Sequence, residues 1–127
     1  MSDLQRQVLV VDDEFLIVMG LIDQVEEIGL TVCNSASTAD EAVALARLHR
    51  PMVVLMDMRL DGAKDGVDAA LVIREEIGSK VIFITGSQEL DSIARIRTCD
   101  PCAILFKPVS GNQLRNAITT ALNLHGV

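Results

Sequence analysis

The sequence has no tryptophan, no tyrosine and only three phenylalanines among its 127 residues, so intrinsic fluorescence will be a poor reporter of its folding. It has no apolar run near the ~18 residues of a membrane-spanning helix, and no linker, repeat or low-complexity tract that would divide the chain. Half of its residues are hydrophobic, which is enough for a full apolar core. We therefore predict a single domain over residues 1–127, with a core at about residues 7–124, no membrane span and no effector domain.

Basic residues are scarce: 11 Lys and Arg residues stand against 18 Asp and Glu residues, which gives a net charge of −7. Nucleic-acid binding depends on basic side chains that neutralise phosphates, so the absence of a Lys/Arg cluster argues against a nucleic-acid partner. The N-terminal segment MSDLQRQ is polar and carries an acid, unlike a signal peptide. We expect a cytoplasmic protein with no membrane partner.

Cysteine is also rare. Cys33, Cys99 and Cys102 make an odd count in a chain without an export signal, which argues against structural disulfides. The last two have C-x-x-C spacing, but a redox pair should open a helix after a strand, whereas this pair lies in a turn before an apolar segment. A zinc site would need about four ligands. We predict free thiols.

Apolar segments of strand length alternate with segments of helical periodicity along the whole chain. Most of the strand segments are continuously apolar, which is typical of a parallel sheet buried on both faces. This (βα) pattern, repeated five times, predicts an α/β fold: a doubly wound parallel five-stranded sheet of order 2-1-3-4-5 with helices on both faces. The predicted strands are residues 8–11, 30–33, 52–56, 81–84 and 103–106.

Capping residues mark two of the predicted helix starts. Thr38 and Glu41 can form a capping box ahead of the second helix. Ser110 and Gln113 can do the same for the last helix. Gly29 is expected to end the first helix.

Polar residues directly follow four of the predicted strands. Asp12 and Asp13 follow the first, Asp57 the third, Thr85 the fourth and Lys107 the fifth. The carboxyl ends of parallel strands meet at one edge, where open α/β sheets bind ligands. If the first and third strands are neighbours, the carboxylates of all three aspartates converge there.

Three close carboxylates repel one another, and either a raised pKa on one acid or a hard divalent cation must relieve the repulsion. An all-oxygen carboxylate site suits Mg²⁺, with Mn²⁺ as the alternative ion, and Mg²⁺ held in this way usually also holds a phosphate. Lys107 can pair with one phosphoryl oxygen and Thr85 can donate a hydrogen bond to another. Because an aspartate can itself form an acyl phosphate, the sequence predicts an acidic Mg²⁺ site for phosphoryl transfer.

Four motifs occur in order at the ends of the first, third, fourth and fifth predicted strands: VLVVDDE, VVLMDMRL, VIFITG and AILFKP. Together they resemble the receiver domain of two-component response regulators over essentially the whole chain. The resemblance implies a signal-transduction protein that takes a phosphoryl group from a histidine kinase or a histidine phosphotransfer protein. It would switch a contact surface for a downstream protein target or pass the phosphoryl group on, and would catalyse only its own phosphorylation and dephosphorylation.

The resemblance also implies a role for each polar residue. Asp57 matches the phosphoacceptor. Thr85 matches the switch hydroxyl, and Lys107 matches the lysine that pairs with the phosphoryl group. The implied metal-binding residues are Asp12, Asp13, Asp57 and the backbone carbonyl of Arg59, with Asp12 acting mainly through water.

Two of the departures from the family pattern concern the switch. Ile104 stands where these domains usually have an aromatic residue that swings inward with the threonine. Isoleucine has a stiff χ1 and no polar tip, so any switch must use other movements. Gly86 directly follows Thr85, which resembles a receiver subgroup named for a Phe-Ala-Thr-Gly-x-Tyr motif. We expect the loop at residues 86–90 to carry the conformational change instead.

Other residues are assigned structural roles. Phe106 should point to the opposite side of its strand from Lys107 and lie in the core. Asp61 and Asp65, in the turn-rich segment MRLDGAKDG, are expected to be solvated turn residues. The bond between Lys107 and Pro108 matches one that is cis in receiver domains.

Two other functions stay open. A small phosphohydrolase similar to the haloacid dehalogenase group could use Asp57 as its nucleophile, but that group has a second acid where this chain has Arg59. A degenerate receiver that acts only as a binding module would typically have lost an acid or the lysine. Taken singly, Asp12 and Asp13 could cap the next helix, and Lys107 could be a surface lysine. Their joint placement argues against these simpler roles.

Overall fold

The computed structural model describes residues 7–122, in which five strands and five helices alternate as predicted. The predicted extent of the domain stays a prediction, because residues 1–6 and 123–127, and so the last positions of the predicted core, lie outside the described residues. The elements are β1 Gln7–Val11, α1 Phe15–Glu27, β2 Thr31–Ala36, α2 Ala39–His49, β3 Val53–Met56, α3 Gly66–Glu76, β4 Lys80–Thr85, α4 Leu90–Arg97, β5 Ala103–Phe106 and α5 Gly111–Leu122.

The strands form one parallel sheet in the order β2-β1-β3-β4-β5, which confirms the predicted topology. Strand β1 therefore lies between β2 and β3. Its carboxyl end borders that of β3, at the switch point where such sheets open a crevice. Strand β4 is longer than predicted and includes Thr85 as its last residue.

Residues of the central strands enter two cores alternately, one on each face of the sheet. In β3, Val54 and Met56 pack with α2 and α3, whereas Val53 and Leu55 pack with α1 and α5. All of these side chains are buried, and each such burial contributes about 1.5–3 kcal/mol. Strand β3 is thus fixed from both sides, which makes its carboxyl end a rigid support for the residue that follows.

Of the two predicted capping boxes, the one at the last helix is complete and the one at the second helix is only partly formed. The Ser110 hydroxyl accepts the N–H of Gln113 at 3.1 Å, and the Gln113 carboxamide accepts the N–H of Ser110 at 3.0 Å. The Thr38 hydroxyl accepts the N–H of Glu41 at 3.1 Å, but the Glu41 carboxylate accepts the N–H of Ser37, at 2.8 Å, instead of that of Thr38. Thr38 therefore caps helix α2 as expected, but the second hydrogen bond of the capping box goes to Ser37 and not to Thr38.

Helix α3 begins with a capping box that sequence reasoning missed. The Asp65 carboxylate accepts the N–H of Asp68 at 3.0 Å, and the Asp68 carboxylate accepts the N–H of Asp65 at 2.9 Å. Asp65 also pairs with Arg95 of α4. The prediction that Asp65 is a solvated turn residue is therefore wrong, whereas Asp61 is exposed as expected.

Phe106 is a second correction. Its side chain is only partly buried and belongs to neither core. The physical reason is that β5 lies at the edge of the sheet, where all of its residues are half-buried. The prediction that Phe106 is a core residue is wrong.

Two smaller findings concern the thiols and the helices. Cys33, Cys99 and Cys102 are free, as predicted, and Cys99 is buried.

Within residues 7–122, no helix is both long enough and apolar enough to cross a bilayer.

Candidate functional site

Backbone hydrogen bonds position the residues that follow the strands. The N–H of Asp12 donates to the last carbonyl of β2 at 3.0 Å, and the N–H of Asp57 donates to the last carbonyl of β1 at 2.9 Å. The N–H of Lys107 donates to the last carbonyl of β4 at 2.9 Å. Strand pairing thus continues one residue beyond the strands, so the three side chains leave the sheet from fixed positions at one edge. The bond from Lys107 to Pro108 is cis, as expected.

The three aspartates that follow β1 and β3 come together at this edge. Asp12 and Asp57 are buried, with 3% and 6% of their surface exposed, and Asp13 is exposed. One carboxylate oxygen from each residue lies within 4.8 Å of one from each of the others. The sequence predicted this convergence from strand order alone.

Lys107 bridges the two buried carboxylates. Its Nζ lies 2.9 Å from Oδ2 of Asp12 and 3.1 Å from Oδ2 of Asp57. Glu14, a site residue that sequence reasoning missed, has an oxygen 4.0 Å from the same Nζ. Its only signal in the sequence was its position directly after the acidic pair. Lys107 is thus close to three acids, and Asp13 is a fourth acid of the same site.

Charge and burial shift the pKa values of the site. Burial, followed by the charge of Asp12, raises the pKa of Asp57 to about 6, although Lys107 opposes the rise. Burial and the charges of Asp61 and Asp12 raise the pKa of Asp13. Burial acts to lower the pKa of Lys107, but its pairing with the two buried acids outweighs this and raises it. The acids therefore hold more negative charge than the lysine relieves.

Thr85 completes the far side of the site. It is 1% exposed, and its hydroxyl accepts the N–H of Ser87 at 3.2 Å. An open cleft of about 550 Å³ extends from Asp57 and Lys107 over Arg59 to the loop at residues 86–89. This acidic cleft has room for a phosphoryl group and for the tip of a partner side chain.

The donor set of the cleft fits a divalent cation. Three carboxylates within reach of one another provide hard oxygen ligands, and exposed Asp13 leaves part of the coordination shell open to water. Mg²⁺ prefers such a mixture of carboxylate and water. The raised pKa values of Asp57 and Asp13 give the same indication, since a second positive charge would relieve their repulsion.

Gly66 supports the site in a way that the sequence did not reveal. It is the first residue of α3, and its N–H donates to the carbonyl of Met58 at 2.7 Å. A methyl group on Gly66 would overlap the backbone carbonyl oxygen of Asp57 and would also come within 3.0 Å of Met56. The start of α3 is thus packed directly against the backbone of the central aspartate.

The sequence and fold are similar to those of known proteins. Residues 8–119 match the family model for the response regulator receiver domain. The receiver domain of a modulated diguanylate cyclase from Desulfovibrio desulfuricans is 33% identical, with a TM-score of 0.89 over 96% of this chain and 97% of that one. The receiver domain of PhyR from Erythrobacter litoralis is 31% identical, with a TM-score of 0.81 over 94% and 91%.

Two curated relatives are longer proteins. The transcriptional regulatory protein PdtaR from Mycobacterium tuberculosis is 36% identical over 118 residues, which is 93% of this chain and 57% of PdtaR. The phyllosphere-induced regulator PhyR from Methylorubrum extorquens is 31% identical over 122 residues, or 95% of this chain and 45% of PhyR. The chain thus spans about half the length of these relatives.

Proposed function

Because the chain belongs to the response regulator receiver domain family, we propose that it is controlled by transfer of a phosphoryl group to Asp57. The observation that carries the proposal is the pair of ionic contacts that Lys107 makes with Asp12 and Asp57 at the rim of the acidic cleft. A lysine placed between a nucleophilic carboxylate and its acidic neighbour keeps positive charge where phosphoryl oxygens would lie. Positioning and charge stabilisation of this kind provide most of the catalysis in phosphoryl transfer.

The proposed metal-binding residues are Asp13 and Asp57, which would bind Mg²⁺ directly, and Asp12, which would act through water. The backbone carbonyl of Arg59, a residue that lines the same cleft, is the remaining proposed ligand. When bound, Mg²⁺ neutralises charge on the carboxylates and on the phosphoryl oxygens. Mn²⁺ offers the same octahedral oxygen chemistry as an alternative.

The proposed transfer is an in-line exchange of one bond for another. An oxygen of the ionised Asp57 attacks phosphorus, the bond from phosphorus to the histidine nitrogen of the donor breaks, and that nitrogen keeps the electron pair. Lys107 exchanges its contact with Asp57 for a phosphoryl oxygen. Thr85 releases the N–H of Ser87 and donates its hydroxyl hydrogen to another phosphoryl oxygen, which couples the reaction to the loop at residues 86–89.

A histidine kinase or a histidine phosphotransfer protein is the proposed donor, and a downstream protein is the proposed target. Membership of the receiver domain family supports a phosphohistidine donor of this class. The chain would act on itself alone, without turnover of an external substrate. A cytoplasmic location is supported by the free thiols, which suit a reducing compartment.

The phosphohydrolase alternative is not favoured. The family match covers residues 8–119, and Arg59, a cation, lines the cleft where that group of enzymes needs a second acid. The binding-only alternative is weakened because the acids and the lysine are all present and close together.

Intact mass spectrometry tests the proposal. We expect the wild-type protein to gain one base-labile phosphoryl group when it is incubated with acetyl phosphate and Mg²⁺, and to gain none when the ion is chelated. Asp57→Asn should gain none in either case, because a carboxamide cannot form an acyl phosphate.

The matched control for this experiment is Asp23→Asn. Asp23 is an exposed acid of α1 that does not line the cleft, so its replacement should leave labelling intact. Labelling of Asp57→Asn to the level of the wild type would contradict the assignment of the acceptor. Turnover of a generic phosphate ester by the wild type would instead support the phosphohydrolase.

A further inference from the structure

Helix α4 is attached to the protein by very little apolar contact. Of its residues Leu90–Arg97, only Ile96 is buried, and Leu90 at its start is 83% exposed. Helix α3, by comparison, buries five residues between Gly66 and Ile73. The first residue of α4 also lacks a side-chain cap. Apolar packing alone would hold this helix weakly, so polar contacts must decide where it sits.

Arg95 supplies the strongest of these polar contacts. Its Nε and Nη2 donate to the two carboxylate oxygens of Asp65 at 3.0 and 3.1 Å, and Nη2 also donates to Asp68 at 3.0 Å. A guanidinium that binds a carboxylate through two parallel hydrogen bonds fixes direction as well as distance. Burial acts to raise the pKa of Asp65, but the hydrogen bonds and charge of Arg95, together with the hydrogen bonds of Asp68, outweigh it and lower that pKa.

The two carboxylates that receive Arg95 are rigidly placed. They are the reciprocal capping box of α3. Asp65 directly precedes Gly66, whose backbone packs against the carbonyl of Asp57. Arg95 therefore connects α4 to the segment that begins with the proposed phosphoacceptor.

The other end of the same helix connects to Thr85. The loop at residues 86–89 lies between Thr85 and α4 and lines the acidic cleft. In the structure the Thr85 hydroxyl accepts the N–H of Ser87. If the Thr85 hydroxyl reorients to donate to a phosphoryl group, that hydrogen bond is lost. The loop can then move, and it would displace the start of α4 with it.

We infer that the ion pairs of Arg95 with Asp65 and Asp68 form a latch that holds α4 in its resting position and opposes the phosphorylated arrangement of the loop. The inference rests on the proposed function, and it supplies a switching element in a chain where Ile104 replaces the aromatic residue. Arg95 is a positioning residue, which acts on the site through α3 and α4 without contact to the phosphoryl group. Release of the latch is part of the free-energy cost of the switch.

Arg95→Met tests the latch, with Arg97→Met as its matched control. Methionine keeps helix propensity and the apolar stem while it removes the charge. Arg97 lies on the same helix and makes no ion pair among residues 7–122, so both variants lose one positive charge. Asp65→Asn is a second test from the opposite side, since asparagine still caps a helix but cannot hold the guanidinium by charge.

Amide hydrogen exchange without any ligand gives the first readout. We expect exchange in α4 to be about threefold to tenfold faster in Arg95→Met and in Asp65→Asn than in the wild type, and unchanged in Arg97→Met. Equal exchange in Arg95→Met and Arg97→Met would overturn the latch.

Affinity for beryllofluoride, a phosphoryl mimic, in the presence of Mg²⁺ gives the second readout. Opening the latch beforehand removes part of the switching cost, so Arg95→Met should bind the mimic about threefold to tenfold more tightly than Arg97→Met. Equal or weaker binding by Arg95→Met overturns the latch as an opponent of switching. If the wild type binds no mimic, the proposed function fails, and the exchange comparison still decides whether Arg95 holds α4.

Discussion

The free energy of unfolding of Asp57→Asn is expected to be about 2 kcal/mol higher than that of the wild type at pH 8 when divalent ions are chelated, so the variant is the more stable protein. Burial and the charge of Asp12 raise the pKa of Asp57 to about 6, against about 3.9 in an unfolded chain. Each unit of difference corresponds to about 1.4 kcal/mol. Asparagine carries no charge and escapes most of this penalty, in which the opposing effect of Lys107 is already included.

The sign of the pH dependence follows from the direction of this shift. The folded protein holds the Asp57 proton more tightly than the unfolded chain does, so the contribution of Asp57 to the stability of the wild type falls as the pH rises from about 4 to about 6. Above about pH 6 both states are ionised and the full penalty is present. The advantage of Asp57→Asn should therefore shrink by about half at pH 5, where folded Asp57 is mostly protonated.

Urea denaturation of both proteins at pH 8 and pH 5 measures this effect. Asp23→Asn is the control, because it removes an exposed acid of α1 that does not line the cleft and should change stability by no more than about 0.5 kcal/mol. Added Mg²⁺ should narrow or reverse the gap at pH 8, since an ion that binds only the folded wild type stabilises it. Equal or lower stability of Asp57→Asn without ions would contradict the description of Asp57 as a strained, buried acid.

Gly66→Ala is expected to destabilise the protein by roughly 2–4 kcal/mol and to impair labelling by acetyl phosphate. The added methyl group would overlap the carbonyl oxygen of Asp57, which is backbone and cannot rotate away. Relief requires a shift of α3 or of Asp57 itself, and overpacking of this kind typically costs about 1–3 kcal/mol or more. Because the displaced backbone carries the proposed acceptor, stability and labelling should fall together.

Gly20→Ala is the matched control for this variant. Gly20 lies inside α1, is exposed, and has no heavy atom within 4 Å of the position that a methyl group would take. Alanine is favoured over glycine there by up to about 1 kcal/mol. Thermal unfolding and acetyl phosphate labelling compare the two variants. A Gly66→Ala protein as stable as Gly20→Ala would show that α3 does not press on the Asp57 backbone.

The topology and the convergence of the site could be predicted because each depends on local patterns. Strand β3 reads as four apolar residues followed by Asp57, and strand order then brings Asp12 and Asp13 to the same edge. Thr85 and Lys107 follow from the same rule. No long-range contact had to be known, only that parallel strands end on one side.

The features that were missed depend on contacts between distant segments. Asp65 stands in a glycine-containing turn and reads as a solvated residue, yet its carboxylate caps α3 and binds Arg95, 30 residues away. The close approach of Gly66 to Asp57 is likewise a property of packing. Phe106 was misjudged because edge and central strands have the same apolar pattern, although only the central ones are covered on both faces.

A crystal structure grown with Mg²⁺ and beryllofluoride tests most directly whether the clustered aspartates hold an ion beside the acceptor. We predict an ion in direct contact with carboxylate oxygens of Asp13 and Asp57, the mimic on Asp57, and Lys107 Nζ and the Thr85 hydroxyl on the fluorides. Carboxylates that spread apart with no ion between them, or a mimic bound away from Asp57, would contradict the account.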